Sequence, residues 1–249
     1  MIATYYRPQT LDEVIKLLSQ PNTLPLGGGT LLSKSKTDSV SVVDLQALGL
    51  NHIHKKGNNL EVGATVTLQQ LFESEHASDA LKATLKLEAP LNIRNAATVA
   101  GTLVACDGRS ALASAMLALD AKIIIQPNDE ESLIGNLLPL RTDQLGGKLI
   151  TKIIIPLNAR LTFEYVSRTP ADKPIISAAL VQWPSGRTRL VIGGFGKLPT
   201  LAMDGTEPEG IEVAARNACH AATDEWASAE YRMSVAATLA KRASETVRS

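Results

Sequence analysis

The segment "LPLGGGTLL" contains residue types that could hold a phosphate group. Three consecutive glycines, Gly27 to Gly29, follow a short apolar run and precede Thr30. Consecutive main-chain N–H groups without side chains can form an anion-binding nest, and the threonine hydroxyl can donate a further hydrogen bond. A tight turn that binds nothing fits the same spacing about equally well, because glycine motifs occur in many unrelated loops. The segment is neither a Walker loop nor a G-x-G-x-x-G fingerprint.

A second segment, "TVAGTLVACDGRSALASAM" (98–116), has a similar composition. It consists mainly of small residues, bends at Asp107-Gly108, and continues into a helix that Ser110 can cap. Segments of this kind pack closely against other backbone or against a ligand. Two such loops could hold an elongated dinucleotide, one at its pyrophosphate and the other along its ribityl and flavin portion.

The elements that position the first segment can be predicted from its surroundings. Thr10 and Glu13 form a capping box, and apolar residues then recur at helical spacing as far as Leu18. "TLPLGGGT" is typical of a strand that runs into a glycine loop, and residues 41–46 are typical of a second strand. The opening 45 residues therefore predict β-α-β packing.

The next part of the chain is predicted to form a hairpin, helices and two buried strands. β-like runs flank Gly57-Asn58-Asn59, which is a hairpin signal. Thr67 and Gln70 cap a short helix, and a longer helix covers about 77–88. Strands at 121–126 and 149–157 enclose a polar loop.

The composition changes after Pro156, which predicts a domain boundary near 157–162. Strands at 178–183 and 188–196 are followed by helices at about 208–222 and 224–248. This is an α+β pattern, with a small sheet followed by helices. The polar residues at the start of the last helix are predicted to cap and brace it: Asp224, Glu230, Tyr231 and Arg232.

Composition excludes several classes of partner. Of the 249 residues 45% are hydrophobic, enough for one large domain or two smaller ones. A formal net charge of zero and 4% aromatic residues argue against nucleic acid and against an anionic membrane surface. The two cysteines cannot supply the four ligands of an iron–sulfur cluster or a structural zinc site. With no signal peptide or apolar run of roughly 20 residues, we predict a cytoplasmic chain without a membrane span.

Three other candidate sites favour structural roles. His52 and His54 alternate along a predicted strand, and a solvated strand face is favoured over a metal site because no third ligand is spaced nearby. Cys106 has no base close in sequence, so a small buried filler is favoured over a nucleophile. Arg168 and Asp172 are predicted to form a surface pair rather than an ordered loop near a flavin.

Together these segments resemble the FAD-binding subunit of the molybdenum hydroxylases, which includes carbon monoxide dehydrogenase medium subunits and the flavin domain of xanthine dehydrogenase. The family's L-A-G-G-T/Q-x-L corresponds to residues 26–32. Its R-N-x-x-T-x-G-G-N/S, followed by S-D/E-L, corresponds to residues 94–102 and 110–112. Its C-terminal D-x-x-A-S-x-E-Y-R corresponds to residues within 223–243. The resemblance covers nearly the whole chain in the right order.

The resemblance implies an α+β fold. An FAD-binding domain covers 1–157, with two α/β subdomains at about 1–52 and 53–157. A small C-terminal domain of antiparallel sheet and helices covers 160–249.

The resemblance also implies which residues bind FAD. The pyrophosphate contacts would come from Leu26, Gly27, Gly28, Gly29, Thr30 and Leu31. The contacts to the ribityl chain and second phosphate would come from Thr98, Val99, Ala100, Gly101 and Thr102. Asp107 and Ser110 would face the flavin, and Ile150 would pack on the ring. No catalytic acid or base and no metal ligand is implied on this chain.

FAD is expected to be bound non-covalently, and three departures from the family pattern predict that its binding is weakened. Ala100 replaces the first glycine of a G-G pair, and Gly108 replaces a frequent proline, which is expected to loosen the turn. Ala111 replaces a carboxylate expected to bind ribityl hydroxyls. One lost charge-assisted hydrogen bond corresponds to about 1.5–3 kcal/mol, or roughly ten- to hundredfold in affinity.

The function implied is electron transfer within a larger molybdenum-containing hydroxylase or dehydrogenase. An iron–sulfur small subunit would pass electrons to FAD on this chain, and a molybdopterin large subunit would oxidise the substrate. NAD or another compound would be the acceptor. Two alternatives stay open: a family member that has lost FAD and serves as a structural or assembly subunit, and a free-standing flavin reductase like the enolpyruvyl-glucosamine reductases.

Overall fold

The computed structural model describes residues 2–32, 39–170, 172–206 and 209–248. Its strands and helices follow one another in this order: β1 Ile2–Tyr6, α1 Leu11–Leu18, β2 Thr23–Leu26, β3 Val40–Asp44, β4 Ile53–Lys56, β5 Asn59–Gly63, α2 Leu68–Glu73, α3 Asp79–Glu88, α4 Leu91–Arg94, α5 Val99–Ala105, α6 Ala111–Ala118, β6 Lys122–Gln126, β7 Glu130–Leu133, α7 Ile134–Gln144, β8 Leu149–Pro156, β9 Arg160–Val166, β10 Ile176–Gln182, β11 Thr188–Gly193, β12 Thr200–Gly205, α8 Ile211–Ala218 and α9 Ala229–Arg248. A short 3₁₀ helix covers Gln46–Leu48.

The chain folds into two compact units, each assembled from separated segments. The first unit comprises Met1–Ser74, Leu91–Ala105 and Lys122–Ile155. The second comprises Glu75–Pro90, Cys106–Ala121 and Pro156–Ser249. Two segments from the predicted 1–157 domain, containing α3 and α6, thus belong to the second unit.

The first unit contains two sheets. A three-stranded parallel sheet has the order β1-β3-β2, and α1 connects its two outer strands. The side chain of Thr10 accepts the N–H of Glu13, as predicted, but the Glu13 carboxylate accepts from Gln9 rather than from Thr10. A five-stranded sheet has the order β4-β5-β8-β6-β7.

The second unit is built on a four-stranded antiparallel sheet in the order β12-β11-β10-β9. Apolar side chains from β10 and β11 form a buried core with side chains from α8 and α9, among them Ile176, Leu190, Ala215 and Leu239. Every residue of α6 is buried. The α+β fold class predicted from the sequence is confirmed.

The strands missed by the sequence reasoning, β1, β7, β9 and β12, are all at sheet edges. Their side chains are largely exposed or half-buried. An edge strand without one buried face does not show the alternation of apolar and polar residues on which the predictions relied. The more deeply buried strands β6, β8, β10 and β11 were predicted close to their observed bounds.

Three other predictions need correction. The polar loop between β6 and β8 contains β7 and α7, because Ile134 and Leu137 are buried although Pro139 interrupts the helical pattern. The small residues after Thr98 form α5 rather than a loop. The last helix begins at Ala229. The Asp224 carboxylate accepts the main-chain N–H groups of Trp226 and Ala227, and these bonds make a turn before the helix. Pro208, the predicted start of the preceding helix, lies outside the described residues.

Candidate functional site

The first glycine segment begins where β2 ends, at the carboxyl edge of the parallel sheet. A Cβ on Gly28 would lie 1.7 Å from the carbonyl oxygen of Ala96, a separation no side chain tolerates. Gly29 has φ +70°, in the left-handed region that favours glycine. These two glycines therefore serve a tight turn and a close approach to the second segment. A tight turn that binds no ligand, the alternative considered from the sequence, therefore explains part of the glycine segment.

The same segment also leaves hydrogen-bond donors available. Among the hydrogen bonds of the described residues, none uses the main-chain N–H of Gly27 or Gly28. Both residues are half-buried. Buried main-chain N–H groups almost always have a partner. Two neighbouring amides with no acceptor among the described residues are well suited to an anionic ligand oxygen.

The second segment is held in place by main-chain contacts. The N–H of Val99 donates to Val66 at 2.9 Å, and the N–H of Leu68 donates to Ala97 at 2.9 Å. The Thr98 hydroxyl accepts the N–H of Gly101 at 3.1 Å and so caps α5. Since a Cβ on Gly27 would lie 3.0 Å from that hydroxyl oxygen, the two segments are in direct contact.

A cavity of about 630 Å³ opens where the two segments meet. Its lining is largely polar and comprises Tyr5, Leu26, Gly27, Gly28, Asp44, Gln46, Asn51, Thr65, Thr67, Gln70, Asn95, Ala96 and Thr98. Ligand-binding cavities have volumes of roughly 300–1,000 Å³. No lysine or arginine occurs in the lining among the residues that the structure describes. A phosphate in this cavity would be held by neutral donors.

The structure brings some of the predicted cofactor residues to this cavity and not others. Leu26, Gly27, Gly28 and Thr98 line it. The remaining predicted residues of the first unit do not: Gly29, Thr30, Leu31, Val99, Ala100, Gly101, Thr102 and Ile150. Of these, Val99, Ala100 and Ile150 are buried.

Asp107 and Ser110 belong to the second unit. The Ser110 hydroxyl donates to Glu88 Oε2 at 2.7 Å and accepts the N–H of Ala113 at 3.1 Å, which caps α6 as predicted. Asp107 is exposed and accepts the N–H of Arg109 at 2.9 Å. The role of both residues towards the flavin stays a prediction.

The bend at Gly108 is tighter than the sequence suggested. A Cβ there would lie 1.6 Å from the carbonyl oxygen of Phe195. The N–H of Gly108 donates to Gly196 at 3.1 Å, and its carbonyl accepts from Gly194 at 2.6 Å. The expectation that glycine loosens this turn is wrong, because contacts on both sides of the backbone leave no room for a side chain.

The residues that the sequence reasoning missed lie at the Asp44 end of the cavity. Asp44 is the last residue of β3 and is 5% exposed. Its Oδ1 accepts the N–H of Gln46 at 2.9 Å, and its Oδ2 accepts the hydroxyl of Tyr5. This hydrogen bond raises the pKa of Tyr5 above its ordinary value. A signal was available, since Asp44 follows a buried strand and neighbouring parallel strands end at the same edge.

The histidine pair is on one side of its strand, as predicted. The rings of His52 and His54 are stacked with centroids 5.1 Å apart, and His52 Nδ1 is 3.2 Å from the carbonyl oxygen of Gly49. Within the described ranges no group of three histidine, cysteine, aspartate or glutamate residues could hold a metal ion.

The predictions for the second unit's polar residues are confirmed in two places. Arg168 and Asp172 form an ion pair at 3.4 Å, and the Arg168 guanidinium lies 4.2 Å from the ring centre of Trp226. Arg232 is fully buried and donates to both carboxylate oxygens of Asp224, at 2.8 and 3.0 Å. Burial alone would raise the pKa of Asp224, but hydrogen bonds from Arg232 and from two main-chain N–H groups lower it overall.

Comparison with known proteins shows which family this chain belongs to. A family model described as "FAD binding domain in molybdopterin dehydrogenase" matches residues 1–158. The chain belongs to this family. Its cofactor is accordingly FAD, and the resemblance predicted from the two segments and the C-terminal pattern is confirmed.

Individual proteins are also similar to this chain over most of its length. "Uncharacterized protein YgfM" of Escherichia coli K12 is 26% identical over 249 residues, covering 96% of this chain and 94% of its own. The glyceraldehyde dehydrogenase medium chain of Sulfolobus acidocaldarius is 26% identical over 224 residues, covering 81% and 78%. Quinoline 2-oxidoreductase from Pseudomonas putida 86 has the same fold, with a TM-score of 0.80, 21% identity and coverage of 98% and 96%.

Membership in the molybdopterin dehydrogenase family makes this chain an oxidoreductase component of a multi-subunit enzyme. The first unit suits FAD at its diphosphate, because Gly27 and Gly28 offer main-chain N–H groups beside the hydroxyl-bearing side chain of Thr98. None of the helices in the described part of the chain has the length and apolar content that a bilayer crossing requires.

Proposed function

We propose that this chain passes electrons from the iron–sulfur clusters of a small partner subunit, through FAD, to NAD or another acceptor. A molybdopterin large subunit would oxidise the substrate. The main support is the cavity of the first unit, where the glycine segment and the second motif are in direct contact. FAD, when bound, exchanges electrons between one-electron and two-electron carriers.

The chain's own residues would bind and orient the cofactor. The N–H groups of Gly27 and Gly28 would donate to diphosphate oxygens, and Thr98 would hold α5 beside them through its cap. Apart from the carboxylate of Asp44, the polar side chains that line the cavity among the described residues are uncharged, including Thr65 and Asn95. Such donors bind a diphosphate by hydrogen bonds rather than by ion pairs.

The cysteines support the need for a partner that carries the clusters. Cys106 and Cys219 are both buried in the second unit. Burial raises the pKa of Cys219 to about 11, which keeps it a thiol at neutral pH. Because the thiolate is the metal ligand, Cys219 is poorly suited to a cluster, and two cysteines cannot supply the roughly four ligands that a cluster needs.

Among its described lining residues, this cavity offers no side chain suited to the proton transfer that a free-standing flavin reductase would require. A reductase of that kind would need a proton donor at the site. The titratable groups that line the cavity in the described residues are Tyr5 and Asp44, which are hydrogen-bonded to each other. The raised pKa of Tyr5 makes it a weaker acid than a free tyrosine, so it is poorly suited to donate a proton at neutral pH.

The test begins with the visible spectrum of the purified chain, with and without added FAD. We expect flavin absorbance to remain with the protein through gel filtration. Gly28→Ala should lose it, because the new Cβ would displace the Ala96 carbonyl, whereas Gly146→Ala should keep it, because nothing lies within 4 Å of a Cβ there. A wild-type chain that stays colourless with excess FAD would support the alternative of a structural or assembly subunit.

Electron transfer is then tested with the partner. The iron–sulfur chain, reduced by dithionite and freed of excess reductant, should bleach the flavin absorbance, and NAD should restore it if NAD is the acceptor. NADPH oxidation by the isolated chain at a rate that the partners do not change would instead indicate a free-standing reductase.

A further inference from the structure

Asp44 is a nearly buried carboxylate in the wall of the FAD cavity that the electron-transfer proposal does not use. Asp44 as a whole is 5% exposed and lies among neutral lining groups. Burying a charged group is unfavourable unless hydrogen bonds compensate it. The hydrogen bonds that Asp44 accepts, and the acceptor positions that it leaves unused, therefore bear on which ligand the cavity binds.

The described part of the chain uses only part of the hydrogen-bonding capacity of the Asp44 carboxylate. Oδ1 accepts the N–H of Gln46 and Oδ2 accepts the Tyr5 hydroxyl. The Arg7 Nε is 3.9 Å from Oδ2, beyond hydrogen-bond distance, and the Arg7 side chain is 60% exposed. An ionised carboxylate offers about four acceptor positions. Two remain for a ligand that brings donors into the cavity.

The position of Asp44 relates it directly to the glycine segment. Asp44 and Leu26 are register partners on adjacent parallel strands, and Gly27 follows Leu26. Neighbouring strands are about 4.8 Å apart. The acceptor at the end of β3 therefore lies one strand away from the amide donors at the end of β2, within the span of a single nucleotide.

The two positions call for different chemical groups. The amides of Gly27 and Gly28 favour phosphate oxygens, whereas the negative charge of Asp44 repels them and favours hydroxyl donors. Both halves of FAD contain hydroxyls next to the diphosphate, on the adenosine ribose and on the ribityl chain. Two amide side chains, Gln46 and Asn51, line the cavity with Asp44, and the Tyr5 residue, 54% exposed, offers an aromatic face. Glutamine and asparagine amides pair well with the edge of adenine.

We propose that Asp44, held by Tyr5, binds the ribose hydroxyls of the adenosine half of FAD and so makes this cavity select FAD over FMN. The inference rests on the proposed placement of FAD in this cavity. It assigns the Asp44 end to the nucleoside and the Gly27 end to the diphosphate.

The test measures the affinity of the full chain for FAD, ADP and FMN separately, by calorimetry or by quenching of intrinsic fluorescence. In Asp44→Asn, one oxygen still accepts the N–H of Gln46, but the new NH₂ can accept neither the Tyr5 hydroxyl nor a ribose hydroxyl. We expect at least about a tenfold loss of affinity for FAD and ADP, with less than a twofold change for FMN. Tyr5→Phe should weaken ADP binding in the same direction by a smaller factor.

Asp143→Asn is the matched control, because Asp143 is an exposed carboxylate on α7 of the same unit and is outside the cavity. The thermal unfolding midpoint of each variant shows that it folds. An unchanged affinity of folded Asp44→Asn for ADP would overturn the inference, and equal losses for FAD and FMN would assign Asp44 to the ribityl chain instead. A wild-type chain that binds none of the three ligands would overturn both this inference and the proposed function, whereas loss of the inference alone leaves FAD binding intact.

Discussion

Gly28 in the first unit and Gly108 in the second both lie where an added Cβ would meet a carbonyl oxygen, at 1.7 Å from Ala96 and at 1.6 Å from Phe195. Both glycines lie in the same kind of sequence, a run of small residues beside a turn. Around Gly28, however, two main-chain amides have no protein acceptor in the described chain, and a polar cavity opens beside them. Around Gly108, the N–H and the carbonyl are both hydrogen-bonded within the protein.

The difference shows that a glycine required for packing does not by itself identify a binding site. What separates the two regions is whether the polar groups near the glycine are already satisfied. At the bend of the second unit, Glu88 accepts from both Ser110 and the main chain of Leu112. In the first unit the N–H donors of the glycine segment remain available in the described chain. We therefore propose that FAD binds at this cavity rather than at the bend.

The largest effect that this comparison predicts is from Gly108→Ala. The added methyl must push apart the bend and the Phe195 carbonyl, so we expect the free energy of unfolding to fall by about 3 kcal/mol. Urea denaturation measures this change in the free energy of unfolding. Gly146→Ala, where no atom is within 4 Å, should stay within about 0.5 kcal/mol of wild type. A Gly108→Ala protein as stable as wild type would mean that the bend is as adaptable as the sequence first suggested.

A smaller effect is expected from Glu88→Ala. This change leaves the Ser110 hydroxyl and the Leu112 N–H without their acceptor in a buried region, which corresponds to a loss of about 2 kcal/mol. Glu88→Gln keeps one acceptor oxygen and the side-chain volume, so it should lose less. If both variants unfold at the same urea concentration as wild type, the bend is not held by this carboxylate, and its contrast with the glycine segment weakens.

The smallest effect is expected from Thr98→Val, at the contact between the two segments. Valine keeps the shape but removes the oxygen that accepts the N–H of Gly101, which corresponds to about 1 kcal/mol of stability from the lost helix cap. Thr238→Val, on the exposed side of α9, controls for the substitution itself. A loss at position 98 no greater than at position 238 would show that the cap does not hold α5 in place.

The sequence predicted well those features that depend on neighbouring residues. The Thr67 capping box is complete, and the Thr10 side chain caps α1 without the reciprocal bond from Glu13. The Gly57-Asn58 hairpin loop and the cap at Ser110 are present. Each depends on residues a few positions apart, so local spacing suffices to find it. Edge strands were missed because they lack one buried face, and α7 was missed because a proline interrupts its pattern.

Features made by distant segments could not be found in this way. The contact between Gly28 and Ala96 joins positions 68 residues apart, and Glu88 reaches the start of α6 from another helix. Tyr5 and Asp44 meet across strands that are neighbours only in the folded sheet. No local spacing indicates these pairs.

The sequence by itself determined the family, the fold class and the two segments that we propose bind FAD, because these follow from residue types and short spacings. Only the tertiary structure decided which small residues open onto a cavity and which are enclosed by neighbouring backbone. The physical reason is that the availability of a hydrogen-bond donor depends on what the rest of the chain places opposite it.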